Sequence, residues 1–217
     1  MGRYRVLRLD DPESALPGPG SLTWIPLRQP LGIRAFGINA YTADRAGADV
    51  VEPHTEDSGH EELYLVLAGH ATFTLDGEQV EAPAGTVVFL PEHEVHRHAV
   101  AREPGTQVLA IGGWPDRPFA ASAWEWWFRA YGLQETGRLD EARAVLAAGT
   151  AEHPGSASMA FHAACIEALG GDADAAFAAL GRAVALGGDE QRARARDDDD
   201  LAALREDPRW AAVVGST

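Results

Sequence analysis

Hydrophobic positions change their rhythm near the middle of the chain. From about residue 20 to residue 113 they come in short runs of Val, Leu, Ile, Thr, Phe and Tyr, at 63–67, 71–75, 86–90 and 107–111. Turn-forming residues cut these runs: Gly69, Asp76 and Gly77, Pro83 and Gly85, Pro104 and Gly105. Runs of this length with β-branched and aromatic content predict strands, and an Asp-Gly pair between two of them predicts a tight hairpin. Several such strands in sequence predict an antiparallel β-barrel or jelly roll. Beyond residue 121 the texture is rich in Ala and Leu, and the predicted elements are helices near 122–135, 139–151, 156–169, 173–185 and 208–214. The polar, acidic stretch 187–200 reads as a break between the last two.

The helical half contains an internal repeat. The segment from Gly137 to Leu146 matches the segment from Gly171 to Leu180, an offset of 34 residues. Each unit reads as a helical hairpin whose first helix ends on a Gly, with small Ala side chains allowing close helix approach. Period and pattern resemble tetratricopeptide repeats, an all-α helical-hairpin fold that usually offers a groove to a peptide. Here the repeats would serve packing or a protein partner. The chain therefore divides into a β domain at 1–113, a linker at 114–121 with Pro115 and Pro118, and a helical domain at 122–217.

Composition narrows the chemistry. The chain has 217 residues, a length that fits one or two domains at about 150 residues each. Its formal charge is -15, which argues against nucleic acid and against an anionic membrane surface. All 18 basic residues are Arg, so a Schiff-base or phosphate-loop lysine is excluded. Cys165 is the single cysteine, which excludes an internal disulfide, iron–sulfur clusters and Cys-rich zinc sites. It reads as a small core residue, and the acidic run 197–200 as a solvated loop. No apolar leader and no membrane-spanning run is visible, so the expected location is the cytoplasm.

Six of the eight histidines fall between residues 54 and 98: His54, His60, His70, His93, His96 and His98. Imidazole is the commonest transition-metal ligand, so this clustering points to a metal. Two spaced motifs carry a family resemblance. Glu62 is followed by six residues and Gly69; Gly85 is followed by five residues, Pro91, and His96 five positions later. This pattern resembles the cupin family over about residues 25–113, and the whole chain resembles bacterial cupin proteins with a helical repeat tail. The resemblance implies a jelly-roll barrel that binds or transforms a small molecule, and barrels that often pair as homodimers. Glu62 and His96 carry over as implied metal ligands. The family's paired histidines would fall at 55 and 57 or at 56 and 58, where this chain has Thr55 and Asp57, or Glu56 and Ser58.

Strand alternation offers a substitute. His60, Glu62 and Tyr64 share one face if the strand extends that far, and His54 lies one short polar loop away. The expected ligand set is His54, His60, Glu62 and His96, with Tyr64 and His98 as substrate-binding residues. Three nitrogens and one carboxylate suit a divalent ion of Fe, Mn, Ni, Co or Zn. If the protein is an enzyme, the resemblance implies dioxygenase or isomerase chemistry; no general base or other catalytic residue is identifiable. The alternative is a metal-free sensor or scaffold that acts through protein–protein interaction. The aromatic group Trp114, Phe119, Trp124, Trp126, Trp127 and Phe128 reads either as a lid over the barrel mouth or, preferred, as an interdomain core.

Overall fold

The computed structural model describes residues 5–56 and 59–215. Two compact units meet at the chain between residues 121 and 122, Met1–Ala121 and Ser122–Thr217.

The first unit is sheet-rich. Its elements are β1 (Leu16–Pro17), β2 (Thr23–Pro26), the short helix α1 (Arg28–Leu31), β3 (Gly37–Ala43), β4 (Asp49–His54), β5 (Glu61–Ala68), β6 (His70–Leu75), β7 (Glu78–Pro83), β8 (Val87–Leu90), β9 (Arg97–Ala101) and β10 (Thr106–Gly113). They form two antiparallel sheets, one in the order β1-β2-β3-β10-β5-β8 and one in the order β4-β9-β6-β7. The hairpin between β6 and β7 turns on Asp76 and Gly77, both with positive φ (49° and 87°). That backbone twist matches paired strands, and an Asp-Gly pair adopts it at low cost. Trp24, Val50, Tyr64, Val66, Phe73 and Ala99 are buried, and the Tyr64 ring of β5 meets the Phe73 ring of β6 with centroids 5.7 Å apart. The inner faces of the two sheets therefore share one core. Val87 and Phe89, on the edge strand β8, stay exposed.

The second unit is helical, with α2 (Ala123–Glu135), α3 (Leu139–Glu152), α4 (Ala157–Leu169), α5 (Ala173–Asp197), a 3-10 segment (Asp199–Leu204) and α6 (Arg209–Val214). Ser156 and Asp172 cap α4 and α5 by accepting the amides of Met159 and Ala175. Ala160, Ala164, Cys165, Ala168, Phe177, Leu180, Leu201, Trp210 and Val214 belong to one core. His162 is also buried; its ring stacks on Trp127 at 4.8 Å, and Arg194 donates from Nη2 to its Nε2 at 3.1 Å.

The stretch 187–200 differs from its expectation. Most of it is helix, joined to the first part of α5 across a kink at Gly188 (φ 61°, ψ -138°). Gln191 and Ala195 turn inward, four residues apart on one helical face. Arg192 and Arg196 donate to the Val213 and Val214 carbonyls, tying the segment to α6. Asp198 ends the helix and caps the 3-10 segment by accepting the Asp200 amide at 3.1 Å. Within the aromatic group of residues 114–128, Trp114 and Phe119 pack on each other in the first unit, and Trp124 and Trp127 pack on Phe128 in the second. Among the described residues no helix is long and apolar enough to cross a membrane.

Candidate functional site

His54, Glu56 and Glu62 offer one ligand atom each, and these atoms all lie within 4.8 Å of one another. His54 ends β4 and Glu56 follows two residues later, while Glu62 comes from the start of β5 in the other sheet. The His54 Nδ1 donates to the Glu52 carbonyl oxygen at 2.7 Å. That bond fixes the tautomer and leaves the lone pair on Nε2, the arrangement found in metal-ligating histidines. The Tyr64 hydroxyl donates to Glu62 Oε2 at 2.7 Å, so Tyr64 holds the carboxylate in place. Burial, then the adjacent Glu62 charge, pushes the Tyr64 phenol well above its ordinary range and keeps it a donor.

Arg97 is the other member of the group. It is 0% exposed, and its Nε stands 3.5 Å from Glu62 Oε2. Its Nη2 donates to the His93 carbonyl at 3.3 Å, while Nε and Nη1 have no hydrogen-bond partner. Burial raises the carboxyl of Glu62, against the lowering influence of Tyr64 and Arg97. Burial likewise raises Glu52, two residues before His54. Glu62 thus faces the Arg97 guanidinium, while the His54 imidazole lies among Glu52, Glu56 and Glu62.

The structure divides the expected ligands. His54 and Glu62 come together. His60 stands just before β5 and packs against aromatic rings, edge-on to Trp114 at 4.2 Å and tilted on Phe119 at 5.5 Å. Its Nε2 is buried without a hydrogen-bond partner, and burial lowers its pKa. His96 is exposed, and its backbone amide donates to Asp76 Oδ1. β9 buries Arg97, Ala99 and Ala101, and His98 alternates with them. His98 points away from Arg97 and donates through Nε2 to Asp49 Oδ1 at 2.8 Å, where Ser21 Oγ also donates to Asp49. Of the expected substrate-binding residues, Tyr64 lies at the group and His98 does not.

Two members were missed by sequence reasoning. Glu56 occupies one of the positions where the family pattern has a histidine, so a carboxylate there was the available signal. Arg97 had no signal beyond the alternation with Ala99 and Ala101. His70, another of the clustered histidines, begins β6 half-buried, with Nε2 2.7 Å from Glu81 Oε2.

The family described as cupin domain matches residues 42–112. An uncharacterised protein of Streptomyces coelicolor is 27% identical over 84 residues, covering 38% of this chain and 74% of its own length. A cupin protein from Bacteroides fragilis covers 56% of this chain and 93% of its own, with 21% identity and a TM-score of 0.40. A predicted oxalate decarboxylase from Thermotoga maritima covers 44% and 82%, with 22% identity and a TM-score of 0.35. The matched stretch, residues 42–112, lies within the sheet-rich unit, carries the His54, Glu56, Glu62 and Arg97 group, and is similar to a cupin domain.

Proposed function

We propose that the sheet-rich unit is a metal-binding cupin that binds or transforms a small molecule, with the cation held by His54, Glu56 and Glu62. The observation that carries this reading is the convergence of one oriented imidazole and two carboxylates within 4.8 Å. The grouping of charges supports it: Glu56 and Glu62 bring two carboxylates together with Arg97 beside Glu62 alone, and a divalent ion offsets that crowding. One nitrogen and two oxygens form a harder donor set than the three histidines and one carboxylate first expected, and suit Mn(II), Fe(II) or Zn(II). A bound ion would act as a Lewis acid on a substrate oxygen or on a substrate enolate, as isomerase or dioxygenase chemistry requires. The protein's own part is to orient His54 through the Glu52 carbonyl and Glu62 through Tyr64.

Arg97 favours a second reading. A guanidinium beside Glu62 is a built-in cation, and a metal-free binding or scaffold domain would use it in place of a metal. In either case the helical unit would serve packing or a protein partner, and a second copy would pair on the exposed Val87 and Phe89 of β8.

Manganese loading of the full-length protein separates the two readings, because Mn(II) prefers oxygen and nitrogen to sulfur. Near-stoichiometric Mn by elemental mass spectrometry is expected, lost in His54→Ala and Glu62→Gln and kept in His96→Ala. No binding by folded wild-type protein of Mn(II), Fe(II), Ni(II) or Zn(II) at these residues would sink the metal reading and leave Arg97 as the resident cation.

A further inference from the structure

The helical unit brings together groups that the sequence reading kept apart. Cys165 lies in the middle of α4, while Asp198 and Asp200 follow α5. The Cys165 Sγ and one carboxylate oxygen from each Asp all lie within 4.8 Å of one another. The thiol is buried and both carboxylates are half-buried. The acidic run is therefore not a solvated loop at these two positions.

A second observation comes from α2. Gln134 is 8% exposed, and its Nε2 donates to Asp200 Oδ2 at 2.7 Å. Its Oε1 is buried with no hydrogen-bond partner. A buried amide oxygen without a donor costs about 1–3 kcal/mol. Half a turn about the terminal torsion presents this oxygen to a cation on Asp200. That turn gives up the Nε2–Asp200 bond and would make the amide a fourth donor, from a third helix.

We propose that Cys165, Asp198, Asp200 and Gln134 form a binding site for one zinc-type divalent cation in the helical unit. One sulfur with three oxygens suits a borderline ion such as Zn(II) or Co(II) better than a hard one such as Mg(II) or Ca(II). Binding displaces the thiol proton to solvent and forms a metal–thiolate bond. Asp200 already carries a raised carboxyl pKa from burial, and its near neighbours Asp198 and Asp199 add to that rise. A cation relieves this repulsion. Of the nearby arginines, Arg205 donates to the Asp198 carbonyl and pairs with the Asp199 carboxylate at 3.6 Å. Arg194 is occupied by the His162 ring and lies over Phe161. The ion would join α2, α4 and the end of α5, clamping the last turns of the helical unit onto its core.

The single cysteine makes the test direct. Full-length protein is stripped with chelator and titrated with Co(II). A thiolate-to-cobalt charge-transfer band in the near ultraviolet is expected, saturating at one equivalent and bleached by Zn(II). The band should be absent in Cys165→Ser, and Asp200→Asn should weaken cobalt binding by about tenfold or more. Glu62→Gln, which removes a donor of the sheet-rich unit, should leave the band intact. Folded wild-type protein that shows no band at any excess of cobalt overturns the proposal, as does a band that persists in the Asp198→Asn, Asp200→Asn double variant. Should Cys165→Ser fail to fold, the wild-type titration decides alone, because no other thiol can give the signal.

Discussion

At the scale of single residues, one position of register decides which side chain enters the candidate site. Counting from Pro91 selects His96, but the β6–β9 pairing sets Leu75 opposite Arg97 and turns Arg97 inward. A shift of one residue in a strand moves every side chain to the other face, so motif spacing alone does not fix the facing. Glu62 and Tyr64 were legible because they sit within a regular strand, while Glu56 lies past the end of β4, where alternation no longer guides the reading. In the helical unit, His162 carries a consequence for acid stability. Burial, with Arg194 beside it, lowers its pKa from 6.5 to about 3. The folded protein keeps this ring neutral while the unfolded chain protonates it, so stability falls as pH drops from about 6.5 toward 3. The loss should reach about 2 kcal/mol by about pH 5. Urea melts of His162→Gln should lack most of this slope, and an unchanged slope would show that other groups carry it.

At the scale of elements, α5 is the clearest departure from what the pattern of hydrophobic positions predicts. Its second part buries only Gln191 and Ala195, a polar side chain and a methyl group, and that is too weak a signal to read as an amphipathic helix. What holds it are contacts distant in sequence, from Arg192 and Arg196 to the carbonyls of α6. The kink at Gly188 allows the change of direction, in a backbone region open almost only to glycine. Nothing lies within 4 Å of a Cβ added at Gly188 or at Gly181, so both substitutions read backbone preference alone. Gly188→Ala should cost about 1–3 kcal/mol. Gly181→Ala, in the regular part of the same helix, should instead stabilise by about 0.4–1 kcal/mol. Chemical denaturation of the two variants side by side measures this, and effects of the same sign would contradict the kink geometry.

At the scale of the whole molecule, the change of hydrophobic rhythm anticipated a sheet-rich part followed by a helical part, because period two and period 3.6 are local properties of the chain. The Asp-Gly hairpin and the short Ala-rich helices were readable for the same reason. What sequence could not supply were meetings between distant segments: Glu56 with Glu62 across two sheets, or Cys165 with Asp198 and Asp200 across two helices. The buried thiol has one more consequence. Burial raises the Cys165 pKa well above its ordinary value and removes it from solvent, so in the closed state it does not react with an alkylating reagent. Each labelling event must wait for the helical unit to open. The chain thus contains its own clock: the rate of modification of one atom counts excursions of one half of the molecule, while the other half, which has no thiol, stays silent. Labelling should therefore speed up in Gly188→Ala, in proportion to the opening that the kink variant allows.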